Sequence, residues 1–262
     1  DFKDLDPALD LSKVRLLVKV IADQTIDEDN PGVRLTKGYN MSSPPGQLDF
    51  VSPITTLIDN QMQTNPGQTQ DEAEQAVAQA LGVDESDNID LTGDYVAASE
   101  EENESAEDYQ RLHHVAQAVA TAIAEVSDDL QSQLDALDAS QQQDALAAIV
   151  GNVVESLTTI TTAIDQATAN GDTVDIAAIV DSVILDIAIA AEDLEEVMEE
   201  AKNEREAAVA NTKEMLTQGD GIFFLEQDKE VFYNEEINKC IVEGELGYGN
   251  FKITDDVGQF TF

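Results

Sequence analysis

The sequence predicts an α+β fold that is mainly α: a helical bundle of about five helices flanked by short β segments at both ends. From residue 52 to about 218, apolar residues recur every three or four positions, the period of helices that pack on a core. Residues before 50 alternate instead, and residues after 219 form short aromatic-rich runs, as strands do. Because 42% of the 262 residues are apolar, a core is expected.

These shifts in composition divide the chain into three predicted parts. Residues 1–50 are expected to hold β strands, the remnant of a β module or strands packed against the helices that follow. Residues 51–218 are expected to form an acidic helical bundle, and residues 219–262 an aromatic-rich β meander of about four strands. The chain begins without an initiator Met, so we expect it to be part of a longer protein.

Two strands are expected in the first part of the chain. Val14, Leu16, Val18 and Val20 alternate loosely with other residues, and a second run covers 33–39. An acidic turn that ends in Asn-Pro-Gly, residues 30–32, separates the two runs. Because two strands cannot bury a face alone, this pair needs a partner.

Capping signals predict where the helices begin and end. Ser52-Pro53 places a capping hydroxyl before a proline at the first helical position, and the first helix should end before Asn65-Pro66-Gly67. Thr69 and Glu72 form a capping box for a second helix, which Gly82 closes. Further helices are expected at about 105–126 and 142–169, with a short segment at 128–138 between them.

The longest helix is expected at about residues 174–217. Its first half carries a continuous apolar seam at helical spacing, from Ile176 to Met198. From Glu192 onward the segment turns polar, so a kinked or partly exposed end is expected. Basic residues near that end, such as Lys202 and Lys213, would complement the negative helix C-terminus.

The charge balance excludes several partners. The chain has 55 acidic and 13 basic residues, a formal charge of −42, and Arg111 is the sole basic residue between Gly38 and Ala201. Nucleic acids and anionic membrane surfaces are bound through clustered Lys and Arg, so neither is an expected partner. Cationic partners and divalent ions are the ligands that this field favours.

Catalytic patterns are missing from the sequence. His113 and His114 lie within a predicted helix without a nucleophile pattern nearby, and adjacent helical side chains point about 100° apart. One partly buried and one solvated histidine is the plainer interpretation. Cys240 is the single cysteine, so neither an internal disulfide nor a Cys-rich zinc site can form. The sequence therefore predicts a non-enzymatic protein, with a carboxylate-based hydrolase as an alternative.

Calcium is the one cofactor that the residues suggest. Oxygen ligands cluster between the second and third predicted helices, at Asp84, Asp87, Asn88, Asp90 and Asp94, and a second cluster covers residues 27–30. Neither cluster has the glycine and glutamate positions of an EF-hand. Asp and Asn also form turns and helix caps without metal, so both interpretations stay open. A calcium-stabilised binding module is the first alternative function.

One stretch resembles a known class of proteins. Val51-Ser52-Pro53-Ile54-Thr55-Thr56-Leu57, with Met62 after it, is similar to a Ser-Pro-x-Thr-Thr-Leu segment of exported surface proteins, lipoproteins and adhesin-like proteins of Gram-negative, often marine, bacteria. Residues 76–83, 94–96 and 112–117 also resemble that class. In it, the segment follows a carboxypeptidase-regulatory-like or Ig-like β module.

The resemblance implies a location and a type of partner. It implies export to the outer-membrane surface or the extracellular space, with a protein or glycan partner there. It supplies no functional residues to carry over, and its segment has no known chemistry. The leading prediction from the sequence is thus a non-enzymatic exported surface module that acts as a scaffold or interaction region.

Overall fold

The computed structural model describes residues 11–26, 34–83, 89–100, 105–190, 193–200 and 202–203, and the strand residues between 223 and 261. Contacts divide the chain into two compact units, Asp1–Gln63 with Thr69–Ala201 and Thr64–Gln68 with Lys202–Phe262. Helices dominate the described residues, and short sheets accompany them. The predicted class, α+β and mainly α, is confirmed.

In the first unit, a short 3-10 helix, Leu11–Lys13, precedes a two-stranded antiparallel sheet. Strand β1 (Leu17–Val20) pairs with β2 (Tyr39–Ser42), with Val20 opposite Tyr39. The second strand therefore begins where the predicted run of 33–39 ends, and Arg34 forms only an isolated bridge with Ile26. The apolar pattern predicted this strand too early in the sequence, because its last residue, Ser42, is buried through polar contacts and not as part of an apolar face. Val20 and Ser42 are buried, as expected for strands packed on helices.

Seven helices with defined bounds follow in the described residues: α1 (Pro53–Thr64), α2 (Gln70–Leu81), α3 (Tyr95–Glu100), α4 (Ala106–Asp129), α5 (Gln131–Leu134), α6 (Ala139–Asn170) and α7 (Ile176–Ile187). The predicted caps of α2 are confirmed, because Thr69 and Glu72 form both capping-box bonds and Gly82 adopts a left-handed conformation with φ of 68°. Helix α3 was not predicted, since six residues are too few to show a helical period.

The predicted continuous helix at 174–217 is wrong. Helix α7 ends at Ile187, Ala188 is extended with ψ of 140°, and residues 194–200 are helical again. The Asn152 side chain donates a hydrogen bond of 3.3 Å to the Ile187 carbonyl, which satisfies a free acceptor at this helix end. The break lets Ile189 turn into the core. Residues 204–217 of the predicted helix lie outside the described residues.

Helix α4 lies at the centre of the core, where it packs against α3, α6 and α7. Its buried face combines branched side chains with alanines that allow close approach: Leu112, Val115, Ala116, Ala118, Val119, Ala122, Ile123 and Val126. Helix α6 is long and apolar enough over Gln141–Asn170 to cross a membrane, but half of its most apolar window is buried in the protein. A buried Leu or Ile contributes about 2 kcal/mol, so this core offsets considerable charge repulsion.

The second unit contains a five-stranded antiparallel meander in the order β3-β4-β5-β6-β7. Its strands are β3 (Phe223–Leu225), β4 (Lys229–Asn234), β5 (Lys239–Glu243), β6 (Gly249–Ile253) and β7 (Phe260–Thr261). The sequence predicted about four strands. The additional strand is β7, whose two residues are too short to show an alternating pattern.

Candidate functional site

The Ser-Pro-x-Thr-Thr segment forms the start of α1 and caps it reciprocally. Ser52 is the N-cap residue: its hydroxyl accepts a bond of 3.1 Å from the Thr55 amide, and the Thr55 hydroxyl accepts one of 2.8 Å from the Ser52 amide. This is a capping box in which threonine takes the place of the usual glutamate. Pro53 occupies the first helical position, where its missing N–H leaves no bond unmade.

The same threonines bond α1 to strand β2. The Thr55 hydroxyl donates to the Ser42 carbonyl at 3.1 Å, and the Thr56 hydroxyl accepts from the Ser42 amide at 3.1 Å. All three residues are buried. Because buried polar groups are costly without partners, these bonds fix the strand on the helix in one register.

Asp59, one turn further along α1, is the buried charge of this cluster. Its Oδ1 pairs with the Arg15 guanidinium, while its Oδ2 accepts from the Ser42 hydroxyl at 2.7 Å and from the Gln63 amide at 2.9 Å. The Asp59 side chain is fully buried, whereas Arg15 keeps 29% of its side chain exposed. Burial raises the pKa of Asp59, and the Arg15 charge and the hydrogen bonds partly oppose that rise.

The predicted calcium residues are only partly described. Asp84, Asp87 and Asn88 lie outside the described residues, as do the residues of the 27–30 cluster. The Asp90 carboxylate accepts bonds of 2.9 Å from the Thr92 amide and hydroxyl, and the Asp94 carboxylate accepts one of 2.9 Å from the Ala97 amide. Among the described residues, no group of three or more His, Cys, Asp or Glu is arranged to hold a metal ion. The calcium site stays a prediction.

The two histidines belong to a chain of aromatic contacts. Phe50 meets Tyr95 edge to face with ring centres 6.1 Å apart, and Tyr95 meets His113 at 6.5 Å. Both His113 and His114 are half-buried, so the expected contrast between a partly buried and a solvated histidine is not present. Burial and the neighbouring His113 lower the pKa of His114, which favours its neutral form.

Arg111 ties three helices together. Its guanidinium contacts the Asp165 carboxylate with two bonds of 2.5 and 2.9 Å, and donates a third of 2.6 Å to the Leu81 carbonyl at the end of α2. Helices α2, α4 and α6 therefore meet at one side chain. The sequence marked this residue only as an isolated positive charge, but its role in the structure is to hold helix ends.

A small cavity lies between the β pair and the helices. Its volume is about 20 Å³, enough for about one water molecule. Its lining comes from the two strands, the turn between them and α4 to α6: Lys19, Gly38, Tyr39, Asn40, Ser127, Gln131, Leu134, Gln142, Leu146 and Ile149. None of these described residues is a carboxylate, so a pair of acids for hydrolysis does not face this cavity.

Comparison with known proteins places the chain in no family. No protein-family model, curated protein or solved structure matches it. The resemblance of the Ser-Pro-x-Thr-Thr-Leu segment to exported surface proteins therefore stays a prediction.

Sequence reasoning found the segment but not the cluster that it builds. Ser52 and Pro53 were assigned correctly as a helix start, whereas Asp59 and its partner Arg15 were not singled out. They lie far apart in sequence and are two among many charged residues. The position of Asp59 could have indicated that it is buried, because it follows Ile58 on a helix whose first half carries mostly uncharged residues.

Proposed function

We propose that this chain is a non-enzymatic module of an exported bacterial surface protein, in which the helical bundle acts as a scaffold or interaction region. The proposal is supported by the hydrogen bonds of the buried polar side chains around α1, which are made to other groups of the fold. The Thr55 and Thr56 hydroxyls form hydrogen bonds to the backbone of Ser42, and the Ser42 hydroxyl donates to the Asp59 carboxylate. Their chemistry serves to join a strand pair to a helix.

Asp59, the one buried acid among the described residues, is also unsuited to the hydrolase alternative. A general base or nucleophile needs an oxygen that faces a substrate. Both oxygens of Asp59 instead accept bonds from Arg15, Ser42 and Gln63, and its side chain is fully buried. A carboxylate in this setting positions other groups of the fold.

The enzymatic part of the proposal is tested with the full chain on a panel of glycans and esters. We expect no hydrolysis above that of a buffer blank. The Asp59→Asn variant serves as the matched control, because it keeps the shape of the side chain and removes its basicity. Hydrolysis by the unmodified chain above the blank would overturn the proposal, and its loss in the folded Asn variant would assign that hydrolysis to Asp59.

The exported location rests on the sequence resemblance alone and needs its own test. Antibodies against the chain should label intact cells of the source bacterium without permeabilisation. Labelling that requires lysis of the cells would refute export and would leave the non-enzymatic proposal to the substrate panel. A protein or glycan partner at the surface is part of the same proposal, and calcium dependence is considered in the Discussion.

A further inference from the structure

Cationic side chains hold the β pair on the acidic helices. Residues 14–20 and 37–43, which contain β1 and β2, are called the strap below. The strap carries three basic residues and no acidic one. Each basic residue forms an ion pair with a carboxylate of the helical region: Arg15 with Asp59, Lys19 with Asp135 and Lys37 with Glu125.

One end of the strap, its base, is fixed by buried contacts. Arg15 pairs with the fully buried Asp59 of α1, and the Ser42 hydroxyl donates to the same carboxylate at 2.7 Å. The Ser43 hydroxyl donates to the Gln47 carbonyl at 2.6 Å, which holds the chain as it leaves β2. Dissolved ions screen buried pairs much less than exposed ones, so the base should respond little to salt.

The other end, its tip, is held by partly exposed ion pairs. Lys19 lies 3.1 Å from Asp135, with exposed side-chain fractions of 47% and 56%. Lys37 pairs with Glu125 of α4, with fractions of 33% and 37%. Salt weakens such pairs because solvent ions reach both partners.

The packing beneath the tip is incomplete. The cavity of about 20 Å³ lies there, bounded by Lys19, Gly38 and Tyr39 of the strap on one side. Leu134, Leu146 and Ile149 of the helices bound the other side. Val20 is the one buried residue of β1, so the tip rests on this apolar contact and on its two ion pairs, beside a space that no side chain fills.

We propose that the strap is a salt-sensitive conformational device: its base stays fixed on α1, whereas its tip detaches from α4 and from the turn after α5 as ionic strength rises. Detachment of the tip uncovers the apolar side chains that bound the cavity. The device therefore converts a change in salt concentration into exposure of a defined apolar patch.

The helices should respond to salt in the opposite direction. Residues 38–201 contain many carboxylates and one basic residue, so screening relieves repulsion among them. Higher salt should then protect α4 while it loosens the tip. This difference in sign separates the proposal from a general effect of salt on stability.

Hydrogen–deuterium exchange of the full chain, at about 0.05 M and about 1 M NaCl, tests the proposal. Val20 and Tyr39 pair with each other, and a two-stranded pair is marginally stable without a supporting face, so their amides should exchange about fivefold faster once the tip leaves the helices at high salt. Amides in the middle of α4, near Val119, should exchange more slowly or at the same rate. Tip and α4 amides that change with the same sign would overturn the proposal.

Two single variants provide a matched comparison. Lys37→Gln removes a cation of the tip that pairs with Glu125, and Arg34→Gln removes one that donates only to the carbonyls of Asp23 and Gln24 among its described contacts. At low salt, the tip of Lys37→Gln should already exchange faster and should gain less from added salt, because only the Lys19–Asp135 pair remains to be screened, while Arg34→Gln should behave as the unmodified chain does. Equal exchange in the two variants would refute the proposal, and unchanged circular dichroism checks that both are folded.

Discussion

At the scale of single residues, Asp59 is the side chain on which most of the cluster around α1 depends. It accepts from Arg15, Ser42 and Gln63, so it satisfies donors from three separate segments. Removal of one partner of a buried pair leaves the others desolvated and unbonded. Asp59 should therefore contribute more to the free energy of unfolding than the many exposed acids around it do.

Asp59→Ala should lower the free energy of unfolding by about 3 kcal/mol, because it leaves a small void and unbonded donors. Urea denaturation monitored by circular dichroism measures the change. Asp181→Ala on the exposed side of α7 removes the same charge and should change stability by less than about 0.5 kcal/mol. Equal losses in the two variants would contradict the structural role of Asp59.

The pH dependence of stability should carry the signature of Asp59. Burial raises its native pKa above the usual 3.8, so the folded chain binds this proton more readily than the unfolded chain. The stabilisation is complete below 3.8 and is lost as pH rises through the native pKa. The unfolding free energy of the unmodified chain, relative to Asp59→Asn, should therefore fall as pH rises from about 4 to neutral.

Urea midpoints at constant ionic strength measure this difference, and the Asn variant cancels the contribution of the other carboxylates. A difference that grows with pH would mean that attraction to Arg15 outweighs the effect of burial.

At the scale of elements, the start of α1 shows how a short motif can serve two elements. Ser52 and Thr55 cap the helix, and Thr55 and Thr56 bond to Ser42 of the neighbouring strand. The segment therefore sets both the first turn of the helix and the position of β2. This gives the Ser-Pro-x-Thr-Thr pattern a structural explanation that does not depend on catalysis.

Ser52→Ala should destabilise the protein by about 1 to 2 kcal/mol, since it removes the N-cap acceptor of a buried helix start. Thermal unfolding provides the measurement. Ser182→Ala is the matched control, because this exposed hydroxyl bonds only within α7, to the Ile179 carbonyl, among its described contacts. A smaller loss from Ser52→Ala than from Ser182→Ala would refute the capping role.

The loop between α2 and α3 carries the calcium hypothesis. If Asp84 and Asp87 hold Ca²⁺, millimolar CaCl₂ should raise the melting temperature above that measured with EDTA, because the ion binds the folded state. The double variant Asp84→Asn/Asp87→Asn should lose this response. An identical melting temperature with Ca²⁺ and with EDTA would contradict the hypothesis.

Local signals predicted the ends of elements better than their continuity. Thr69, Glu72 and Gly82 marked the ends of α2 correctly because capping depends on neighbouring residues. The break after Ile187 was missed because the side chain that bonds its carbonyl, Asn152, comes from another helix. The cluster at Asp59 was missed for the same reason, since Arg15 is 44 residues away in sequence.

At the scale of the whole molecule, the charge of −42 is opposed by a continuous apolar core. Among the acids whose side chains the structure describes, all but Asp59 are at least partly exposed, and few cations offset them. Repulsion among these faces acts over a Debye length of about 10 Å at 0.1 M salt and about 3 Å at 1 M. Such a surface suits seawater or brine.

The melting temperature should therefore rise as NaCl is increased from about 0.05 M to about 1 M. KCl at equal ionic strength should give the same shift, because screening depends on charge and concentration. A melting temperature that does not respond to NaCl would refute this account. A response to one salt alone would point to a specific ion site instead.

The way that Arg111 is held has a consequence for proteolysis. Trypsin cleaves after Lys and Arg, and between Lys37 and Lys202 the chain offers it only this residue. Its guanidinium bonds to the Asp165 carboxylate and the Leu81 carbonyl. Its backbone is helical, whereas a protease binds its substrate in an extended conformation. In the folded protein the helical region should thus survive digestion whole, and only after unfolding should it separate into two long fragments, 38–111 and 112–202.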